Sequence, residues 1–193
     1  RQSGKTTTMV AVILWFVLFN ESFNCAILAN KASTAREILS RLQMAYEWLP
    51  YWLQQGLVEW NKGSLELENG SKILASSTSA SSIRGGSFSL VYLDEFAFVD
   101  ATLQEEFFAS VYPTISSGAT SRVMITSTPK GMNLFYKLWV DAEEGRNEYV
   151  PIQVHWSAVP GRDEEWKEQT IKNTSEEQFR QEFECDFIGS SNT

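Results

Sequence analysis

The sequence predicts an α/β domain in which helices flank a mostly parallel sheet. Short apolar runs of strand length alternate with longer, helix-like segments through residues 1–140. A Gly-Lys-Thr triplet at Gly4 precedes an apolar helical segment, and the buried-strand pattern at residues 90–93 ends in two adjacent acids. In such sheets ligands lie beyond the carboxyl ends of the strands, which is where both motifs fall.

Apolar spacing, caps and turn residues define the expected elements in order. Ser33 is expected to cap the second helix, and Pro50 to end it. Asn69-Gly70 is the strongest hairpin-turn signal. The patterns predict a helix to about residue 20, a strand at 25–29, a helix at 33–49, a hairpin at 58–75, a strand at 90–93, a helix near 103–110, a strand at 123–125 and a helix near 133–142.

The most apolar run, residues 9–19, is too short to cross a membrane, because a spanning helix needs about 20 residues. No small-residue cleavage site follows it, which argues against a signal peptide. We expect a helix buried on most sides. Cys25 and Cys185 are too few for a disulfide framework and are expected to be reduced thiols in the cytosol.

The net charge of −8 comes entirely from the end of the chain. Residues 1–140 hold eleven acidic and eleven basic side chains, whereas residues 141–193 hold thirteen acidic and five basic ones. We therefore expect a core at 1–140 and a small α+β subdomain at 141–193, with a strand at 150–156 and helices at 164–172 and 175–187. His155 is expected at a strand edge. An acidic tail is unsuited to tracking DNA by itself, since phosphate contacts need Lys and Arg.

The opening segment has the second half of a phosphate-binding loop. The full pattern is a glycine, four residues and Gly-Lys-Ser/Thr, so its first glycine would lie before Arg1. Gly4 lets backbone amides surround phosphate, Lys5 reaches the β- and γ-phosphates, and Thr6 offers a hydroxyl to Mg²⁺. An exposed loop with a surface lysine is the alternative. The expected nucleotide-binding residues are Arg1, Gln2, Ser3, Gly4, Lys5, Thr6 and Thr7.

The apolar strand at 90–93 continues into Asp94-Glu95. In a P-loop enzyme the first carboxylate holds the Mg²⁺ shell and the second orients the attacking water. The alternative is a strand that meets solvent with two acids. Together with Gly4-Lys5-Thr6 upstream, the pair predicts a P-loop NTPase of the ASCE type, which has the catalytic glutamate on a neighbouring strand.

Two further groups are candidates for contact with phosphate. Thr126, Ser127 and Thr128 follow the strand at 123–125 and are placed to sense the γ-phosphate, although a capped strand end explains them equally. Arg84, in a glycine loop, is suited to stabilise charge in the transition state or to pair with a surface acid. Arg1 is a second guanidinium candidate.

This combination resembles the ATPase domain of the large terminase subunit, the DNA-packaging motor of tailed phages, and is closest to its T4-like branch. The segments that carry the resemblance, in order, are 1–6, 56–70, 82–88, the strand with Asp94-Glu95, 113–118, 126–131 and 178–182.

The resemblance implies roles for individual residues. Glu95 would be the catalytic carboxylate and Asp94 the metal-shell acid. Thr126, Ser127 and Thr128 match the motif that couples hydrolysis to DNA movement. Arg84 matches an arginine inserted into a neighbouring subunit's site, and Arg1 matches the arginine of the phosphate loop. The acidic tail would be a lid beside the nucleotide cleft.

The resemblance also implies the wider setting. The substrate would be ATP with Mg²⁺, and the partners would be double-stranded DNA, the portal protein and the small terminase subunit. The working form would be a homo-oligomeric ring on the procapsid in the host cytoplasm. The family's adenine-contacting segment, its strand before the phosphate loop and its nuclease domain are expected outside residues 1–193.

Three alternatives stay open at this point. A nucleotide-binding module without turnover differs from an ATPase only in the function of Glu95. A two-metal nuclease would use Asp94, Glu95 and Asp100, because such sites gather carboxylates around paired metals. Trp52 and Trp60 are either partner contacts or core residues.

Overall fold

The computed structural model describes residues 3–79, 83, 86–116 and 121–188, with a central six-stranded sheet in the order β2-β3-β4-β1-β5-β6. The strands are β1 (Asn24–Ala29), β2 (Leu57–Trp60), β3 (Ser64–Leu67), β4 (Lys72–Ser77), β5 (Leu90–Asp94) and β6 (Arg122–Thr126). The helices are α1 (Lys5–Phe19), α2 (Ala32–Glu47), α3 (Ala101–Ser116), α4 (Leu134–Glu143), α5 (Glu164–Asn173) and α6 (Glu176–Phe179).

The sheet is mostly parallel, as the sequence predicts. β1 pairs in parallel with β4 and β5, and β5 pairs in parallel with β6. Only β2 and β3 run antiparallel, as the outer part of a meander that ends in β4. Parallel strands bring their carboxyl ends to one edge, so Asp94 lies beside Ala29 on one side and beside Thr126 on the other.

The described chain divides into two compact units. The first is Gly4–Thr126, and the second contains residues 127–188 together with Ser3. The boundary between the units precedes the change in charge at Asp141. The division into a core at 1–140 and a lid at 141–193 stays a prediction.

The core of the first unit lies between the sheet and the pair α1 and α2. Ile13 and Val17 of α1 are fully buried, as are Leu39 and Leu42 of α2. The prediction that α1 is buried on most sides is wrong for its outer face. Trp15 and Phe19, four residues apart on that face, are 56% and 60% exposed.

The hairpin turn at Asn69-Gly70 is confirmed between β3 and β4 and also holds the end of α1. The Asn69 side-chain amide donates to the Val17 carbonyl at 2.8 Å and to the Asn20 carbonyl at 3.2 Å. Gly70 has φ +80°, a left-handed conformation that glycine adopts without steric cost.

Two local predictions in the first unit need correction. Ser33 does not cap α2, because the helix begins one residue before it, at Ala32, after an extended Lys31 whose side chain makes no capping hydrogen bond. α3 is longer than predicted and runs through Pro113 to Ser116.

In the second unit the predicted strand at 150–156 is wrong. Val150 and Ile152 are 81% and 78% exposed, and the described residues of this unit form helices and turns but no strand. Pro151 lacks the N–H that a strand pairing would need. His155 is exposed and instead accepts a hydrogen bond from the Ser157 amide at the start of a short 3₁₀ turn, Trp156–Ala158.

The helices predicted for the tail are confirmed in type, with changed ends. α5 begins after Asp163, whose carboxylate accepts a hydrogen bond from the Trp166 amide at 2.9 Å. α6 begins after Ser175 and passes into a π-helical turn at Arg180–Glu184, three residues short of the predicted end at Phe187. Within the described residues, no helix has both the length and the apolar character of a membrane span.

Candidate active site

The start of α1 presents a backbone suited to an anion. Gly4 occupies the N-cap position with φ +79°, and its carbonyl accepts a hydrogen bond from the Thr8 amide at 2.9 Å. A Cβ at Gly4 would meet nothing within 4 Å, so the left-handed backbone, not space, favours glycine there. The first turn of α1 carries no acid, which leaves the positive end of the helix available to a negative ligand.

The end of β5 brings its acids to the same region. Asp94 is 5% exposed, and the next residue, Glu95, has φ 49° and ψ 41°, a left-handed conformation that is uncommon outside glycine. Lys5 Nζ lies 3.7 Å from Glu95 Oε1. The structure thus brings together the lysine and the second carboxylate that the sequence assigned to one site.

The carboxylate of Asp94 is held by two hydroxyls. Thr126 Oγ1 donates to Asp94 Oδ1 at 2.7 Å, and the Tyr92 hydroxyl donates to the same oxygen at 2.9 Å. The placement of Thr126 beside Asp94 follows from their register in the parallel pair β5 and β6. Sequence reasoning treated Tyr92 only as part of a buried strand and missed this contact.

The oxygen donors at this site fit a magnesium ion. Among the described residues, Asp94 Oδ2 accepts no hydrogen bond, because both hydroxyls meet Oδ1, and the Thr6 hydroxyl likewise makes none. Mg²⁺ prefers oxygen ligands and keeps several waters. One carboxylate oxygen and one threonine hydroxyl are the protein ligands that a phosphate-bound Mg²⁺ uses in P-loop enzymes.

The remaining predicted residues are placed only in part. Arg1, Gln2 and Arg84 lie outside the described residues. Ser127 and Thr128 belong to the second unit, where the Ser127 hydroxyl donates to the Thr128 carbonyl at 2.9 Å, so Thr126 alone of the three hydroxyl residues lies in the unit that contains Asp94.

The three-acid cluster of the nuclease alternative does not form. Asp100 Oδ1 instead accepts a hydrogen bond from the Thr102 amide at 2.9 Å, at the start of α3. No group of three His, Cys, Asp or Glu side chains within residues 3–79, 83, 86–116 and 121–188 is close enough together to hold a metal ion.

The two tryptophans considered as partner contacts differ in exposure. Trp60 packs against Tyr46 with ring centroids 5.5 Å apart and adjoins the core, whereas Trp52 is 79% exposed. Cys25 is fully buried in β1, and this burial raises the pKa of its thiol far above the ordinary value. That cysteine is therefore an unreactive core residue.

The whole chain, residues 1–193, matches a family model described as the N-terminal part of the terminase large subunit, T4likevirus-type. The chain is 31% identical over 125 residues to the large terminase subunit of Escherichia phage T5, a match that covers 64% of this chain and 28% of that protein. It is 29% identical over 126 residues to the large terminase subunit of Thermus phage G20c, covering 58% and 25%. The chain therefore spans between 25% and 28% of the length of these relatives.

Solved structures of large terminases share the fold. The ATPase domain of the Thermus phage P74-26 large terminase superposes with a TM-score of 0.73 at 22% identity, covering 97% of this chain and 86% of that one. The HK97 large terminase gives 0.72 at 17% identity, covering 94% and 43%. The large terminase of another thermophilic bacteriophage, in complex with ADP, gives 0.71 at 12% identity, covering 97% and 46%.

Proposed function

The chain belongs to the T4-type family of large terminase subunits, and we propose that it is the ATP-hydrolysing core of a motor that moves double-stranded DNA into a procapsid. The proposal combines family membership with a site that has the parts a phosphoanhydride hydrolase needs. Those parts are a cation and a helix N-terminus for the phosphates, a buried carboxylate for the metal shell, and a second carboxylate for water.

The observation that carries the proposal is the approach of Lys5 to Glu95. The two residues start and end different elements, and the fold brings Lys5 Nζ to 3.7 Å from Glu95 Oε1. Hydrolysis needs the phosphate ligand and the water-orienting base within a few ångströms of the same phosphorus atom. A lysine with a purely surface role would not require a catalytic-type carboxylate beside it.

The ion pair between Lys5 and Glu95 is weak enough to be exchanged for a ligand. The Lys5 side chain is 24% exposed and that of Glu95 is 38% exposed. At this exposure an ion pair contributes little stability, typically about 0.2–1 kcal/mol. A nucleotide triphosphate with several negative charges therefore competes readily for Lys5, and Glu95 can then orient a water molecule and accept its proton.

Asp94 and Thr6 are the residues that would hold Mg²⁺ beside the phosphates. When bound, the ion neutralises charge on the β- and γ-phosphate oxygens. Burial of Asp94 and its two hydroxyl contacts fix the carboxylate in one orientation before the metal arrives. This prior fixing lowers the entropy that metal binding has to remove.

The proposal extends to residues and partners that family membership suggests. Arg84 and Arg1 are the candidates for the arginine that stabilises the transition state, Arg84 in a neighbouring subunit. Thr126, Ser127 and Thr128 are proposed to couple hydrolysis to DNA movement. The partners would be DNA, the portal protein, the small terminase subunit and further copies of the chain in a ring on the procapsid, in the host cytoplasm.

Structures of the thermophilic bacteriophage terminase with ADP and with ATP-γ-S support nucleotide as the ligand of this fold. The test on this chain is nucleotide affinity and turnover of Lys5→Ala. Removing a charge-assisted phosphate contact should weaken binding of a fluorescent ATP analogue about 10- to 100-fold, and turnover should be lost.

Lys62→Ala is the matched control. Lys62 is an exposed lysine in the loop between β2 and β3, away from α1, and its replacement should leave affinity and turnover unchanged. If Lys5→Ala binds the analogue as tightly as the unmodified chain does, the proposed phosphate site is wrong.

A further inference from the structure

Tyr92, Asp94 and Thr126 form a closed triangle of oxygen atoms inside the first unit. The Tyr92 hydroxyl lies 2.9 Å from Asp94 Oδ1 and 2.9 Å from Thr126 Oγ1, and Thr126 Oγ1 lies 2.7 Å from the same Oδ1. Tyr92 is fully buried and Asp94 is 5% exposed. Each oxygen is therefore within hydrogen-bond distance of the other two in a dry environment.

The sheet geometry explains why these three side chains meet. Alternate residues of a strand share a face, so Tyr92 and Asp94 point to the same side of β5. Asp94 and Thr126 are register partners in the parallel pair β5 and β6. A tyrosine two residues before the acid and a threonine at the matching position of β6 are sufficient to build the triangle.

The triangle holds fewer protons than it has contacts. An ionised carboxylate oxygen only accepts, and each hydroxyl has a single proton, so two protons serve three oxygen pairs. Burial, and next the neighbouring Asp94 charge, raise the pKa of the Tyr92 hydroxyl far above its ordinary value, so it remains a donor. Tyr92 also offers its oxygen lone pairs as an acceptor for Thr126.

Two proton arrangements are therefore available at the same oxygen positions. In one, Tyr92 and Thr126 both donate to Asp94 Oδ1. In the other, Thr126 donates to the Tyr92 oxygen while Tyr92 keeps its bond to Asp94. The second arrangement releases Thr126 from the carboxylate without leaving a buried charge unbonded, which would be costly.

We propose that Tyr92 is a positioning residue that holds Asp94 in its metal-binding orientation and lets Thr126 exchange its hydrogen bond between Asp94 and Tyr92. The proposal rests on the function proposed above, in which Asp94 supports Mg²⁺ and Thr126 begins the coupling motif. It gives Thr126 a physical connection to the metal site through a third residue.

The test is a double-mutant cycle of Tyr92→Phe and Thr126→Val, read out as the Mg²⁺ dependence of ATP-analogue binding at equilibrium. Each single variant leaves Asp94 with one donor, so the Mg²⁺ concentration needed for half-maximal binding should rise only about threefold to tenfold. The double variant leaves no donor, and the rise should exceed the product of the two single effects.

Tyr46→Phe is the matched control for loss of a buried tyrosine hydroxyl. Tyr46 is 4% exposed, and its hydroxyl donates to the Gln55 carbonyl on a different part of the unit. This variant should leave the Mg²⁺ dependence of binding unchanged. A simple packing role for Tyr92 would likewise leave it unchanged, so this measurement separates positioning from packing.

Each outcome of the cycle has a distinct meaning. If Tyr92→Phe leaves the Mg²⁺ dependence unaltered, both alone and combined with Thr126→Val, the positioning role is overturned while the proposed function stands. Effects that simply multiply overturn the exchange between Asp94 and Tyr92. An unmodified chain with no Mg²⁺-dependent binding removes the proposed function and this inference together. If Tyr92→Phe unfolds, Thr126→Val against Thr126→Ser decides, since only the valine variant should raise the Mg²⁺ requirement.

Discussion

At the residue scale, Glu95 combines a strained backbone with the most important chemical role in the proposed site. Its φ of 49° is left-handed, and such a conformation at a residue other than glycine costs on the order of 1–3 kcal/mol. The turn that contains this strain points the carboxylate toward Lys5. Strain of this kind is common where function over-determines a residue.

Glu95→Asn should therefore make the chain more stable while it destroys turnover. Asparagine tolerates the left-handed region better, so the free energy of unfolding should rise by about 0.5–1 kcal/mol, which is about 2 °C in Tm for a chain of this size. Thermal unfolding measures it. Glu105→Asn, at an exposed helical position, should instead lower Tm, since asparagine is a weaker helix former. A lower Tm for Glu95→Asn would contradict the strain argument.

Individual site residues were predictable where a motif names them. Lys5, Thr6, Asp94 and Glu95 have spacing tied to phosphate chemistry, and the structure brings Lys5 to Glu95. Tyr92 was missed because a run of apolar strand residues hides one hydroxyl. The available signal was that a buried tyrosine hydroxyl needs a partner, and that residue 94 lies on the same strand face.

At the element scale, the β3–β4 turn is the feature on which the register of the meander depends most directly. Gly70 is left-handed, and a Cβ built on it would lie 3.0 Å from Ser22 Oγ. The preceding Asn69 binds the end of α1. The turn thus connects the outer strands to the helix that carries the phosphate-binding residues.

Gly70→Ala should destabilise the chain by about 1–2 kcal/mol, because alanine is strained in the left-handed backbone and also crowds Ser22. Gly63→Ala is the control, since Gly63 has no positive φ and its nearest neighbour to a built Cβ is Asn61 Oδ1 at 3.7 Å. Chemical denaturation of both variants measures the difference. Equal midpoints would show that the turn tolerates a side chain.

Elements with two independent signals were predictable, and those with one were not. The hairpin had alternation and Asn69-Gly70, and β5 had an apolar run followed by acids. The segment at 150–156 had alternation alone, and its apolar side chains remain exposed because no neighbouring strand is present to pair with it in the described part of the second unit. Periodicity reports which face is apolar, whereas pairing depends on the rest of the fold.

At the scale of the whole molecule, charge is distributed against simple attraction to DNA. The chain carries a net −8, all of it from residues 141–193. Non-specific binding to DNA depends on neutralising phosphates with Lys and Arg. We therefore expect the proposed DNA movement to depend on an assembled ring and its partners, with this chain supplying the nucleotide chemistry.

The most direct test of the central claim is Mg²⁺-ATP turnover by the chain and by Glu95→Gln, with nucleotide affinity measured in parallel. Loss of a general base should lower turnover about 10²- to 10⁴-fold, while affinity changes little because the phosphate ligands remain. Turnover per chain should also rise with protein concentration if a neighbouring copy supplies an arginine. Equal turnover in the two proteins, or binding without turnover in the unmodified chain, would contradict the catalytic role of Glu95 and leave a nucleotide-binding module.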